Sequence, residues 1–198
     1  MIEKIPLYSF VHLKKKGYNS VLVVINMVSE REMIKRRYGV AVAIFALLVL
    51  VVMAMIFYFS AETAVRSTET SNGVTRFVLK IFRPDFDRLS KSERSALFSK
   101  ASHYVRKGAH FTEYFLLGLF STLLVLSALK ICGKQSLLFF LVPPLFSALY
   151  AFFDEGHQRF VGGRAAQITD VLIDFSGALL ATLIVFFICL AVRKKRSR

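Results

Sequence analysis

Arg106, His110 and Glu113 recur at i, i+4 and i+7, the spacing that sets three polar side chains on one face of a helix, with Lys107 and Tyr114 flanking that face. A second cluster, Asp154, Glu155, His157, Gln158 and Arg159, precedes Gly162-Gly163, after which come Arg164, Gln167, Asp170 and Asp174. On a helix the i, i+4 pair Asp170 and Asp174 places the second carboxylate one turn, about 6 Å, beyond the first. These residue types support three chemistries. Arg106, Lys107 and Arg164 can contact phosphate while Asp154, Glu155, Gln158 and Asp170 position them by hydrogen bonds. Glu155 or Asp154 can serve as general base and His110 as acid, with Glu113 a further candidate and Arg164 stabilising phosphate charge. The third chemistry is structural only: His110 with Glu113 as a polar pair locking helices, Asp154-Glu155 as a charged helix boundary, and Arg164 on lipid phosphate.

Other classes lack their signatures. There is no nucleophile motif, no Gly-rich phosphate cradle and no metal-ligand spacing, so neither a metal nor a cofactor is expected. The two cysteines, Cys132 and Cys189, stand in no redox or zinc pattern.

The elements that must carry these residues are membrane helices. The 198 residues are 55% hydrophobic, with 20 Phe and no Trp, and the mean hydropathy is +0.54; a soluble domain is far less apolar. A helix crossing about 30 Å of hydrocarbon needs about 20 apolar residues. Four stretches qualify: Tyr38 to Phe59, Ala109 to Leu129, Ser136 to Phe153 and Val171 to Val192. The predicted fold is all-α, a polytopic bundle of four transmembrane helices. Pro143-Pro144 should kink or locally break the third, Phe-rich stretches such as Phe139-Phe140 should face lipid, and Gly177 with Ala181 should form a close-packing surface between helices.

The net charge of +14 reads in this setting as a topology signal and an affinity for anionic lipid, not for nucleic acid. The segments before the first span, between the second and third, and after the fourth hold 15 of the 27 basic residues and net +12, against +2 for the rest. Both termini and the Lys130 to Gln135 loop are therefore expected in the cytoplasm, with Ser60 to Gly108 and Asp154 to Asp170 outside. Residues 1–32 read as a peripheral cytoplasmic segment or as a frame opened upstream of the true initiator, and residues 33–198 as one transmembrane domain. Val74, Phe77, Val78, Ile81 and Phe82 predict a short amphipathic interfacial helix ended by Pro84. Ser90 and Glu93 make a capping-box signature. The helix it opens, with Leu97, Phe98, Ala101, Tyr104 and Val105 on its apolar face, can run directly into the second span.

Under that topology the unusual polar residues collect at the outer ends of three spans. Ionisable groups at bilayer depth cost about 2.5–3.5 kcal/mol each at the centre and less near an end, so a shared pocket is the economical arrangement.

Arg106 to Tyr114, Phe153 to Arg164 and Asp170 to Gly177, taken in order, resemble the VanZ-like family. Phe59-Ser60-Ala61-Glu62 is similar to that family's Phe-Ser-x-Gln region with Glu62 in place of Gln, and Asp174 stands where many relatives carry Asn. The resemblance covers roughly Tyr38 to Val192. It implies a multi-pass protein of the bacterial cell membrane, whose namesake confers low-level resistance to the glycopeptide teicoplanin without remodelling the peptidoglycan terminus. The implied partners are membrane lipids or lipid-linked envelope precursors, with glycopeptide antibiotic as a further one. Residues and resemblance together favour binding of a lipid or lipid-linked headgroup at the outer leaflet. The ligand set is Arg106, Lys107, His110, Glu113, Asp154, Glu155, Gln158, Arg164, Asp170 and Asp174. The alternatives are an enzyme acting on a phosphate-bearing lipid and a purely structural network.

Overall fold

A computed structural model describes residues 20–132, 138–164 and 166–196. Among them the chain folds into α1 (Ser20–Ser60), α2 (Ala64–Phe82), a 3-10 turn (Phe86–Arg88), α3 (Lys91–Ile131), α4 (Leu138–Gln158) and α5 (Ile168–Arg196), with no strand. α1, α3, α4 and α5 are each long and apolar enough to cross a membrane, so this is an all-α membrane helix bundle.

Local chemistry explains the element boundaries. Thr63 caps α2, its hydroxyl accepting from the Arg66 amide at 3.4 Å. α2 stops at Phe82, two residues before Pro84, because the residue preceding a proline is driven out of the helical region. Both bonds of the Ser90–Glu93 capping box form, at 3.3 and 3.0 Å. From that cap α3 runs unbroken for 41 residues. At about 1.5 Å per residue this is about 60 Å, twice the hydrocarbon thickness, so its first half extends beyond the span and carries α2 alongside.

Three details differ from or extend the sequence reading. α4 passes through Pro143 and Pro144 without a break; the pair sits in the second turn, so the two bonds it removes lie near the helix start and the turns that follow continue. Phe139 is buried and packs on Phe186 at a ring-centroid distance of 6.0 Å, with Phe140 on the same ring at 5.2 Å. These two rings join α4 to α5 and are not lipid-facing filler. α1 continues from Ser20 through residues 20–32 into the first span, so no break in the helix marks residue 32. Residues 1–19, 133–137, 165 and 197–198 lie outside the described residues; with them go much of the N-terminal segment, the loop to Gln135 and the start of the third span at Ser136.

α3 is the hub, touching α1, α2, α4 and α5, and its contact with α5 is the most extensive in the molecule. Small residues permit it. A Cβ on Gly118 would lie 2.5 Å from Ala178 Cα, and one on Gly177 would lie 2.4 Å from the Phe111 carbonyl oxygen, so the backbones meet with nothing between them. One turn further, the buried hydroxyls of Thr122 and Thr182 bond across the crossing at 2.9 Å. On the neighbouring face of α3, Val49, Val52, Ile56, Tyr114, Leu117 and Ala151 close a core between α1, α3 and α4. There the Tyr150 hydroxyl donates to the Met53 carbonyl at 2.8 Å.

Candidate functional site

Four chain segments converge where α1 ends, α4 ends, α5 begins and α3 passes through. Gly177 docks on Phe111, the residue after His110, so the glycine crossing fixes the first turns of α5 against the polar face of α3. Asp174, three residues before that contact, is fully buried, and its Oδ1 lies 4.0 Å from His110 Nδ1. That separation is too long for a hydrogen bond. Asp170, one turn earlier on α5, pairs with Lys107 on α3.

The end of α4 supplies two further buried acids and an amide: Asp154, Glu155 and Gln158 are each about 5% exposed or less. Gln158 Nε2 donates to Asp154 at 3.2 Å, and the Gln167 backbone amide donates to Glu155 Oε2 at 2.8 Å. Arg164, on the connection from α4 to α5, donates to Gln158 Oε1 at 3.3 Å and to the Phe59 carbonyl at 3.0 Å, which ties that connection to the end of α1. Burial lowers the pKa of its guanidinium from the ordinary value, and repulsion from Arg106 acts in the same direction.

The ten predicted residues do gather, but in three layers. Arg106, His110, Glu113 and Arg164 line a cavity of about 680 Å³. Its remaining wall is largely apolar, with Met55, Val74, Val78 and Leu116 from three helices, and Glu62 at its edge. Asp154, Glu155, Gln158 and Asp174 lie behind that wall. The Lys107–Asp170 pair stands to one side. Several buried polar atoms of this region have no hydrogen-bond partner, namely His110 Nδ1, the Tyr114 hydroxyl, Glu155 Oε1 and both oxygens of Asp174. Buried polar groups ordinarily find partners, so these are atoms that a water or a ligand would complete. Among the described residues no three His, Cys, Asp or Glu side chains are grouped to hold a metal ion.

The model of the VanZ/LLP1 family matches residues 45–190. The chain belongs to that family. The VanZ/LLP1 match takes in all ten site residues and the glycine crossing, and leaves out the first half of α1. No curated protein and no solved structure matches the chain.

The sequence reading missed three groups. The Phe59 carbonyl and the Gln167 amide are backbone partners with no side-chain signature. Glu62 was visible only as a motif position; it accepts from Thr70 at 3.4 Å and pairs with Arg66 at 3.7 Å, which anchors the start of α2 over the cavity.

Proposed function

We propose that this protein binds a phosphate-bearing lipid or lipid-linked headgroup in the cavity between α1, α2 and α3, on the outer face of a bacterial cell membrane. The observation that carries the reading is the cavity's division of labour: apolar walls at Met55, Val74, Val78 and Leu116, with two guanidinium groups, Arg106 and Arg164, at one wall. That pattern suits an amphiphile whose chain lies on the apolar side and whose phosphate meets the arginines. The polar residues behind the wall then act by holding it: Gln158 accepts from Arg164, and Asp154 accepts from Gln158.

A second reading, an enzyme acting on the same kind of lipid, is favoured by one observation. His110 and Glu113, one helical turn apart, both line the cavity, whereas Asp154 and Glu155 do not. An acid–base pair touching substrate would therefore be His110 and Glu113. A contribution to low-level teicoplanin resistance is the physiological form either activity would take.

The test is mass-spectrometric identification of lipid co-purifying with the full chain in mild detergent. Arg164→Gln should retain less of one phospholipid or lipid-linked class while remaining folded; equal retention by wild type and variant removes the binding reading. Turnover of that lipid by wild type and not by His110→Gln would select the enzyme. The orientation is tested by labelling Ser92→Cys from outside intact cells in a background lacking Cys132 and Cys189; protection there reverses the topology.

A further inference from the structure

α2 is a ridge with a cavity on each side, and the second cavity is of opposite character to the first. On one flank Asn72, Arg76 and Lys80 follow each other at i, i+4, i+8; facing them on the extended half of α3 stand Arg94, Ser102 and Arg106 at the same kind of spacing. The cleft between the two ladders has a volume of about 790 Å³, and Asp87 is the one acid on its wall. Among the described residues, none of its four cations lies within 4.0 Å of a carboxylate.

The floor of the cleft is unsatisfied as well. Ser102 is 5% exposed and its hydroxyl has no hydrogen-bond partner; the Asn72 side-chain oxygen, also buried, has none. A serine hydroxyl, an asparagine amide that donates once it is turned over to present its NH2 group, and guanidinium groups on two facing helices are together the donors that cradle a phosphate. Phe77 and Ile81, on α2 beside Arg76 and Lys80, are exposed. An amphipathic helix with such a face beds into the membrane surface, at headgroup depth.

We propose that this cleft is a second ligand site, sharing only Arg106 with the cavity on the other flank, and that it takes a phosphate-bearing anion through Arg76, Lys80 and Arg94 with the Ser102 hydroxyl at its base. The phosphate can come from an anionic phospholipid headgroup or from a soluble polyphosphate, and the experiment separates the two.

Native mass spectrometry of the purified full chain, with dioleoylphosphatidylglycerol, dioleoylphosphatidylcholine and inorganic pyrophosphate as probes, reads the site directly. Wild type should bind phosphatidylglycerol or pyrophosphate in preference to phosphatidylcholine, and Arg76→Gln with Arg94→Gln should weaken that binding by about tenfold or more. Ser102→Ala should weaken it less. Arg83→Gln, outside the cleft, should leave it unchanged. Phosphatidylglycerol binding that pyrophosphate fails to displace assigns the site to a lipid headgroup; displacement, or binding of pyrophosphate alone, assigns it to a soluble anion. Binding lost in Arg164→Gln but kept in the double variant belongs to the other cavity, so the two sites fail separately. If the double variant yields no folded protein, Lys80→Gln, at an exposed position, is read by the same criteria. A folded variant that binds both anions as tightly as wild type, or a wild type that binds all three probes alike or none, overturns the proposal.

Discussion

α3 has two neighbours that it holds in opposite ways. Against α5 it presents Gly118 and packs backbone to backbone, with Thr122 bonded to Thr182 and no room for an added methyl. Against α2 it presents a surface flanked by two cavities, and α2 touches no other helix extensively. Among the described residues of α2 only Thr75 and Leu79 are buried, while Val65, Val74, Phe77, Ile81 and Phe82 stand exposed. The seam fixes where His110 and Asp174 stand. The ridge bounds the spaces a ligand would enter. Precision and access are thus assigned to different sides of one helix, and stability should be distributed accordingly.

The strongest way to break this contrast is at the seam. Gly177→Ala puts a methyl carbon 2.4 Å from the Phe111 carbonyl oxygen. The helices must separate, at a cost of about 3 kcal/mol. Folded yield and Tm in detergent should both fall, and a Tm within a degree or so of wild type would show the crossing to be loose.

Next in size are the ties behind the cavity wall. Arg164→Gln strands the Phe59 carbonyl and Gln158 Oε1, and Glu155→Gln weakens the acceptor of the Gln167 amide. Each should cost about 1–3 kcal/mol. If these residues serve a ligand, function measured as teicoplanin susceptibility in a strain lacking the native protein should fall further than folded protein does. If they serve structure alone, the two losses should track each other.

The ridge should respond locally. Leu79→Ala removes a buried anchor of α2, and hydrogen exchange should quicken across Ala64–Phe82 while exchange in α5 and the global Tm stay near wild type. A cooperative drop in Tm would make ridge and seam one unit. The smallest effect is expected at Arg83 and Asp85, hydrogen-bonded at 3.0 Å and both exposed. The Arg83 guanidinium holds the Asp85 carboxyl below its ordinary pKa of 3.8. Whatever stability the pair gives is complete above that pH and fades as pH falls through the lower folded value. In an exposed pair this should leave Tm unchanged in Arg83→Gln at neutral pH, as differential scanning fluorimetry would show.

Much of this layout is legible in the sequence, for definite reasons. The four spans follow from length and hydropathy. α2, its stop before Pro84 and the Ser90–Glu93 cap follow from local rules that act within one turn. The polar residues of α3, α4 and α5 converge as their spacing implies, because burying each alone would cost more than burying them together. Their division into a cavity wall, a layer behind it and a pair to one side depends on how far each helix slides along its neighbour, and spacing carries no such information. Phe139 and Phe140 show the same limit: hydropathy sees an apolar ring but not whether lipid or Phe186 covers it. The two cavities are legible only once α2 is laid on α3, although the residues of the basic one, spaced by multiples of four along both helices, each lie along one face.

The uninterrupted length of α3 has a mechanical consequence. A helix is stiff over this distance, and the glycine crossing at Gly118 holds it backbone to backbone, so α3 is a lever with a fulcrum. About 40 Å of it, from Lys91, lies on one side of that fulcrum and about 20 Å, to Ile131, on the other. Any tilt of the long arm, which carries α2 and borders both cavities, therefore arrives at the short arm reversed in direction and about half as large.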